Sequence, residues 1–151
     1  MSWFKRKSKG ITTQNQEKKE IPEGLWYQCP ECKHVMTSEQ HAENDWLCDK
    51  CDYHEKITSL NYFSILFDEN EFSEVASHLI SGDPLEFTDT KAYKDRIKTT
   101  INKSGLKDAL RVGFGKIEGE NAVVACMDFG FIGGSMGSVV GEKFARGVDK
   151  A

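Results

Sequence analysis

Cys29, Cys32, Cys48 and Cys51 form two Cys-x2-Cys pairs separated by 15 residues, a spacing that reads as a zinc site. Each pair makes a tight knuckle whose backbone amides face the sulfurs. Two knuckles joined by a short β excursion place four thiolates at the corners of a tetrahedron, with metal–sulfur bonds of about 2.3 Å. Four thiolates fill the coordination shell and leave no position for water, so the expected ion is structural rather than catalytic. Iron in a rubredoxin-like site is the runner-up. His34, His41 and His54 lie close by in sequence; four sulfurs already satisfy an ion, so the histidines are expected on the surface. The fifth cysteine, Cys126, sits in an apolar run with no His or second Cys beside it and reads as a small core residue rather than a nucleophile.

The segment that must position these ligands is small. A ribbon over residues 21–57 contains them. Pro30 fixes the first knuckle, and Trp26, Tyr27, Val35, Trp46, Leu47 and Tyr53 supply its apolar cover. A module of about 40 residues has too little core to fold unaided, so the metal provides much of its stability. Residues 1–20 are polar, carry a balance of +4 and show no apolar period; they read as a basic flexible tail, with Trp3 and Phe4 its only aromatic residues. Residues 21–60 carry a balance of −5.

The remaining chain, 58–151, alternates helical and extended patterns. Leu60, Phe63, Ile65, Leu66 and Phe67 give one apolar face, and Phe72, Val75, Ala76, Leu79 and Ile80 a second, so two helices are expected over 59–80, broken at Asp68-Glu69-Asn70. Gly82-Asp83-Pro84 ends the second. Asp89 is placed to cap a helix over roughly 90–104 that stops at Gly105. Tyr93, Ile97 and Ile101 share its buried face, with Lys91, Lys94, Lys98 and Lys103 largely elsewhere on a solvated side. Leu110–Ile117 and Ala122–Phe129 read as a hairpin joined by Glu118-Gly119-Glu120-Asn121, the second strand apolar enough for burial on both faces. A glycine-rich run from Gly130 to Ser138 follows, then a helical pattern through Val139, Val140, Phe144 and Val148. A buried hairpin and a glycine-rich loop need covering neighbours, so this half reads as the opening of a larger α/β domain, incomplete in 151 residues.

Several function classes are disfavoured. No run of about 18 apolar residues occurs, so no membrane helix is expected. The cationic start is followed by no apolar stretch, unlike a secretory signal. A cytoplasmic setting keeps thiols reduced, which favours metal ligation over disulfides. The net charge of −4 argues against polyanion binding by the chain as a whole. Within the ribbon, phosphate contact would fall to Lys33, Lys50 and Lys56 and the tail, against a negatively charged metal–thiolate centre. Nucleic-acid binding is therefore a weakly supported alternative, and a lid or docking module is the better reading.

With these motifs in place, the chain resembles the β subunits of the multi-subunit bacterial and plastid acetyl-CoA carboxylase carboxyltransferases, over their N-terminal portion. The resemblance is carried by Met1-Ser2-Trp3-Phe4, by Ile21-Pro22-Glu23-Gly24-Leu25-Trp26 ahead of Cys29-Pro30-Glu31-Cys32, and by Cys48-Asp49-Lys50-Cys51-Asp52-Tyr53-His54. It continues through Asp83-Pro84-Leu85-Glu86-Phe87 and Lys91-Ala92-Tyr93-Lys94-Asp95-Arg96. Its sharpest stretch is Phe131-Ile132-Gly133-Gly134-Ser135-Met136-Gly137-Ser138-Val139-Val140-Gly141-Glu142. The resemblance implies an α+β or α/β chain: a four-cysteine zinc ribbon followed by the start of a crotonase-like (ClpP/crotonase) α/β spiral, within an α2β2 assembly. It implies one structural Zn2+ per chain and transfer of a carboxyl group from carboxybiotin, borne by a partner protein, to acetyl-CoA, giving malonyl-CoA for fatty acid synthesis. The implied partners are the carboxyltransferase α subunit, biotin carboxyl carrier protein and biotin carboxylase. Gly133, Gly134 and Gly137 are the candidate substrate contacts, since no Cβ blocks approach there. The family's later Ser-Gly-Gly-Ala-Arg-Met turn is absent from these residues, so no catalytic residue is assigned and the 151-residue chain alone is expected to be inactive. The alternative function is a stand-alone zinc-ribbon interaction or nucleic-acid-binding protein.

Overall fold

The computed structural model describes residues 24–151. The expected tail over 1–20, with Trp3 and Phe4, lies outside them. The chain divides into two compact units between Tyr53 and His54.

The first unit is built on a two-stranded antiparallel hairpin, β1 (Trp26–Gln28) and β2 (Val35–Thr37), in the register Tyr27↔Met36. A short helix, α1 (Ser38–Glu43), follows without a break. Thr37 ends the strand and caps the helix: its hydroxyl accepts the Gln40 amide at 3.1 Å while the Gln40 side chain accepts the Thr37 amide at 3.2 Å, satisfying two donors that a helix start leaves free. The small core is Cys29, Met36 and Cys48, with Tyr27, Cys32 and Tyr53 packed against it.

Three expectations fail here. Trp26 and Val35 were expected to cover the core, yet they are 61% and 48% exposed. Strand alternation places neighbours on opposite faces, and Tyr27 takes the inner one. His41, expected on the surface, is 3% exposed and stacks on the Tyr27 ring at 3.6 Å between centroids and 9° between planes. Its ring joins α1 to β1, so it serves as a flat packing surface.

The second unit holds α2 (Ser59–Leu66), a 3-10 turn (Asp68–Asn70), β3 (Phe72–Glu74), α3 (Tyr93–Ser104), β4 (Leu110–Ile117), β5 (Glu120–Met127) and α4 (Ser138–Lys150). Its sheet runs β3-β4-β5 and is antiparallel throughout. The hairpin turn is tighter than expected, only Glu118 and Gly119, with φ of +52° and +85°, the left-handed pair that suits a two-residue hairpin. The Asp68 carboxylate accepts both turn amides, from Glu118 at 2.9 Å and Gly119 at 2.8 Å.

The second helix expected over 72–80 is not formed. Phe72–Glu74 is instead a strand on β4, pairing Phe72↔Gly115 and Glu74↔Gly113, and Val75 extends the ladder to Val112 at 2.8 Å. Glu69, Asn70 and Ala76 adopt positive φ, which no right-handed helix permits. The alternative is a close aromatic cluster: Phe63 meets Phe72 edge-on at 4.9 Å and Phe67 at 5.5 Å. Two glycines of β4 make room for it. A Cβ at Gly113 would lie 2.9 Å from the Phe67 ring, and one at Gly115 would lie 2.6 Å from the Glu71 carbonyl oxygen and 2.7 Å from Phe67.

α3 carries Ile97 into the main core, flanked by Tyr93 and Ile101 as expected, and ends on Gly105 at φ +71°. It starts later than expected, with Ala92 rather than Asp89 at the cap. Asp89 holds the entering turn instead, accepting the Lys91 amide at 3.0 Å and gripping Arg96 at 2.7 and 2.9 Å. The core joins Ile97, Ala109, Leu110, Val112, Phe131 and Val140. β5, expected to be buried on both faces, has no fully buried residue. It is an outer strand of the sheet, paired to β4 along one edge only.

Candidate metal centre

The two cysteine pairs adopt one backbone pattern twice. Cys29 donates its amide to the His34 carbonyl at 2.8 Å, and Cys48 donates to Tyr53 at 3.0 Å. Lys33 and Asp52, each four residues after the first cysteine of its pair, donate back to the Cys29 and Cys48 carbonyls at 3.0 and 2.9 Å. Both residues lie in the left-handed region, at φ +61° and +55°. That conformation turns the chain sharply enough to aim both sulfurs of a pair inward. The Lys33 ammonium also reaches the Pro30 carbonyl at 2.6 Å. His34 and Asp49 connect the two knuckles at 3.3 Å.

All four sulfurs lie within 4.8 Å of one another. Across the knuckles, Cys29 Sγ is 3.7 Å from Cys51 Sγ and Cys32 Sγ is 3.6 Å from Cys48 Sγ. A tetrahedron with zinc–sulfur bonds of about 2.3 Å has edges of about 3.8 Å, so the sulfurs stand where a metal ion of that size needs them. Cys29 and Cys48 are fully buried, Cys32 is half-buried and Cys51 is exposed. Burial pushes the Cys29 thiol up, but the hydrogen bonds it receives from the Cys32 and Glu31 amides and from the Cys32 and Cys51 thiols outweigh this and bring it to about 7. Burial and competition from the other three sulfurs push Cys51 up to about 12. Cys29, Cys32, Cys48 and Cys51 would hold an ion as thiolates, which would end this unequal competition.

The three candidate glycines lie together in the loop between β5 and α4. Gly133 and Gly134 have φ of +65° and +78°, which their lack of a Cβ permits. Gly137 precedes α4 with an ordinary φ of −97°, and a Cβ on Gly133 or Gly137 would meet nothing within 4 Å. The loop thus presents open backbone at Gly133 and Gly137, whereas a Cβ on Gly134 would lie 3.2 Å from the Phe129 ring. Phe129 and Met136 beside it are 64% and 81% exposed. Cys126 is half-buried in β5, with its thiol raised by burial and by the nearby Asp128 carboxylate. A raised thiol is a poor nucleophile, in keeping with a packing role.

Sequence reasoning did not find the buried polar residues Ser59, Asp108, Asp128 and Lys143, all under 5% exposed. The available signal was Lys143 itself, which falls between Val140 and Phe144 in the otherwise apolar period of α4. Among the described residues no helix is long and apolar enough to cross a membrane.

No protein-family model matches the chain. Curated relatives do match it along its whole length. It is 57% identical over 149 residues, 99% of this chain, to the acetyl-coenzyme A carboxylase carboxyl transferase subunit beta of Pedobacter heparinus, covering 53% of that protein. It is 53% identical to the subunit of the same name from Flavobacterium psychrophilum, over 99% of this chain and 52% of the relative. With that of Amoebophilus asiaticus it shares 51% identity over 100% of this chain and 53% of the relative. The chain spans about half the length of the curated relatives it matches.

Proposed function

We infer that the chain belongs to the acetyl-coenzyme A carboxylase carboxyl transferase β-subunit family and forms the part of such a subunit that carries its zinc ribbon and first glycine loop. The observation behind this reading is the 57% identity sustained over 149 residues, which takes in both cysteine pairs and the loop at Gly133. The subunit would work with a carboxyltransferase α subunit in an α2β2 assembly, alongside biotin carboxylase and the biotin carboxyl carrier protein, in the cytoplasm. It would move a carboxyl group from carboxybiotin to acetyl-CoA, giving malonyl-CoA and free biotinyl carrier.

The chemistry asks for stabilised oxyanions rather than a nucleophile. An enolate must form on the thioester, and negative charge develops on the ureido oxygen of departing biotin. Backbone amides fixed in a water-poor turn stabilise such charge without reorganising. The open backbone of Gly133 and Gly137 suits close approach by the CoA ester or its phosphates, and these two residues, with Gly134 between them against Phe129, are the proposed substrate contacts. No side chain is assigned a catalytic role.

The metal centre has a separate task. Cys29, Cys32, Cys48 and Cys51 would hold Zn2+, which with four thiolates has no open position and supplies cross-linking rather than Lewis acidity. Its role is to stabilise a unit whose apolar core is three residues.

The test pairs the complete β subunit with the α subunit and follows malonyl-CoA formation from acetyl-CoA and carboxylated biotinyl carrier, with metal measured by inorganic mass spectrometry. The expected result is turnover and one zinc per β chain. A correctly assembled pair that makes no malonyl-CoA would refute the function. A metal other than zinc would correct the cofactor alone.

A further inference from the structure

We propose that Asp128, Asp108 and Lys143 form a buried clamp that holds the Phe129–Gly137 loop at both ends in the shape it offers to an acyl-CoA. This rests on the reading above, in which the loop meets substrate. The three act as positioning residues, not catalytic ones.

The entrance of the loop is fixed by Asp128. This residue is 3% exposed, and both its carboxylate oxygens are bound by Ser59: Oδ1 accepts the amide at 2.8 Å and Oδ2 accepts the hydroxyl. Its own amide donates to the Ala109 carbonyl at 2.7 Å. The exit is fixed by Lys143 on α4, also 3% exposed. Its ammonium donates to the Leu110 carbonyl at 2.8 Å and lies 3.2 Å from Asp108 Oδ1. That same carboxylate oxygen accepts the Leu110 amide at 2.7 Å. The stretch Asp108-Ala109-Leu110 is therefore a common anchor, with Ala109 holding one end of the loop and its two neighbours the other. The three charged side chains line one cavity of about 110 Å³, which the Arg111–Glu74 pair also borders.

Between these anchors the loop takes a conformation it would not keep unaided. Ile132, Gly133 and Gly134 follow one another at φ of +44°, +65° and +78°. A β-branched residue at positive φ is strongly disfavoured and persists only where its surroundings impose it. Inside the loop, the Phe131 amide bonds the Asp128 carbonyl at 3.1 Å and the Gly134 amide bonds Phe131 at 2.9 Å, so the held end at Asp128 passes directly into the strained turn. Stability alone does not account for the buried charges, because a well-packed apolar pair commonly replaces a buried ion pair at no cost. What charged hydrogen bonds add is direction.

That same fact supplies the test. In the complete carboxyl transferase, the double substitution Asp108→Leu/Lys143→Met removes both charges together, so neither is left buried unpaired, and it frees the Leu110 amide and carbonyl and the Ser81 hydroxyl that they bound. The expected outcome is a folded protein with a modestly lowered thermal midpoint, since the freed Leu110 groups are buried, a KM for acetyl-CoA raised about tenfold with a smaller loss in kcat, and about tenfold faster hydrogen exchange at the Phe131 and Gly134 amides, with the β4 amides beyond Leu110 unaffected. Unchanged exchange in the folded double variant overturns the clamp while leaving the carboxyl transfer reading intact. Faster exchange with an unchanged KM overturns the proposal by removing the loop from the substrate site. Ser59→Ala, which keeps the backbone bond to Asp128, is the milder second variant. It is expected to shift the same readings in the same direction by about threefold, and no shift in either reading counts against the clamp.

Discussion

Each knuckle depends on one residue that is not a ligand. Lys33 and Asp52 sit at the left-handed turn that brings a cysteine pair together, and an L-residue there bears a cost of about 1–2 kcal/mol. Asp52→Gly is expected to leave metal-loaded stability unchanged or slightly higher. Asp52→Val, β-branched at the same φ, should lower it by about 1–2 kcal/mol, read by thermal unfolding. Among the ligands, Cys48→Ser removes a fully buried sulfur and should abolish stoichiometric metal. Metal affinity should also fall on acidification and fall fastest below about 7, where the Cys29 thiol regains its proton. Sign and cause agree: the bound form needs the thiolate, so protons compete with the ion. Competitive titration with a colorimetric chelator at several pH values measures this. The clustering of the four cysteines was legible from spacing alone. The left-handed residues were not, since neither Lys nor Asp advertises positive φ as a glycine would.

At the scale of elements, β4 and its aromatic neighbours make the sharpest case. Gly113 faces only Phe67 and Phe63 side-chain atoms, whereas Gly115 faces the Glu71 backbone as well. Gly113→Ala should cost about 1–3 kcal/mol, the usual range for overpacking, and Phe67→Leu should recover part of it. Gly115→Ala should cost as much, and Phe67→Leu should rescue it poorly because the carbonyl stays in place. Denaturant unfolding of the single and double variants decides the point. At the start of α3, the Lys91 amide and the Arg96 guanidinium hold the Asp89 carboxyl below its usual range. Its contribution is therefore present above the ordinary aspartate pKa and is lost as pH falls through the lowered value. Carboxyl NMR titration should find Asp89 protonating later than a free aspartate, and Arg96→Gln should move it back up. The helix face at Tyr93, Ile97 and Ile101 was readable, since its period matches what it buries; the hairpin and α4 were readable as elements, but α4 buries Val140, Lys143 and Gly147 and leaves Phe144 and Val148 58% and 62% exposed. Residues 72–80 were not. Phe72, Val75, Ala76, Leu79 and Ile80 have helical spacing, but pairing with β4 and stacking on Phe63 outweigh a local preference of a few tenths of a kcal/mol per residue. The buried trio Asp108, Asp128 and Lys143 was invisible for a related reason: the side-chain partners Ser59 of Asp128 and Asp108 of Lys143 lie far away in sequence, and no period marks a residue whose role is set by a distant neighbour.

For the molecule as a whole, the tryptophans among the described residues, Trp26 and Trp46, both belong to the first of the two units. Emission from Trp26 and Trp46 therefore reports on the unit that carries the four cysteines. Removing the metal with a strong chelator should shift and weaken that emission, as expected for a module whose folding is metal-linked. The β4–β5 hairpin amides should keep their NMR positions, because their core contains no ligand. Loss of both signals together would mean that the second unit draws its stability from the ion as well. The sheet order carries a practical consequence. β5 lies outermost, is eight residues long, and runs Ala122-Val123-Val124-Ala125-Cys126-Met127 after its first two residues, without a proline or lysine to discourage a neighbour. Such a rim invites strand-by-strand self-association in concentrated samples. Handling the polypeptide at this length therefore calls for dilute conditions, or for a lysine placed at Ala125, whose side chain is already exposed.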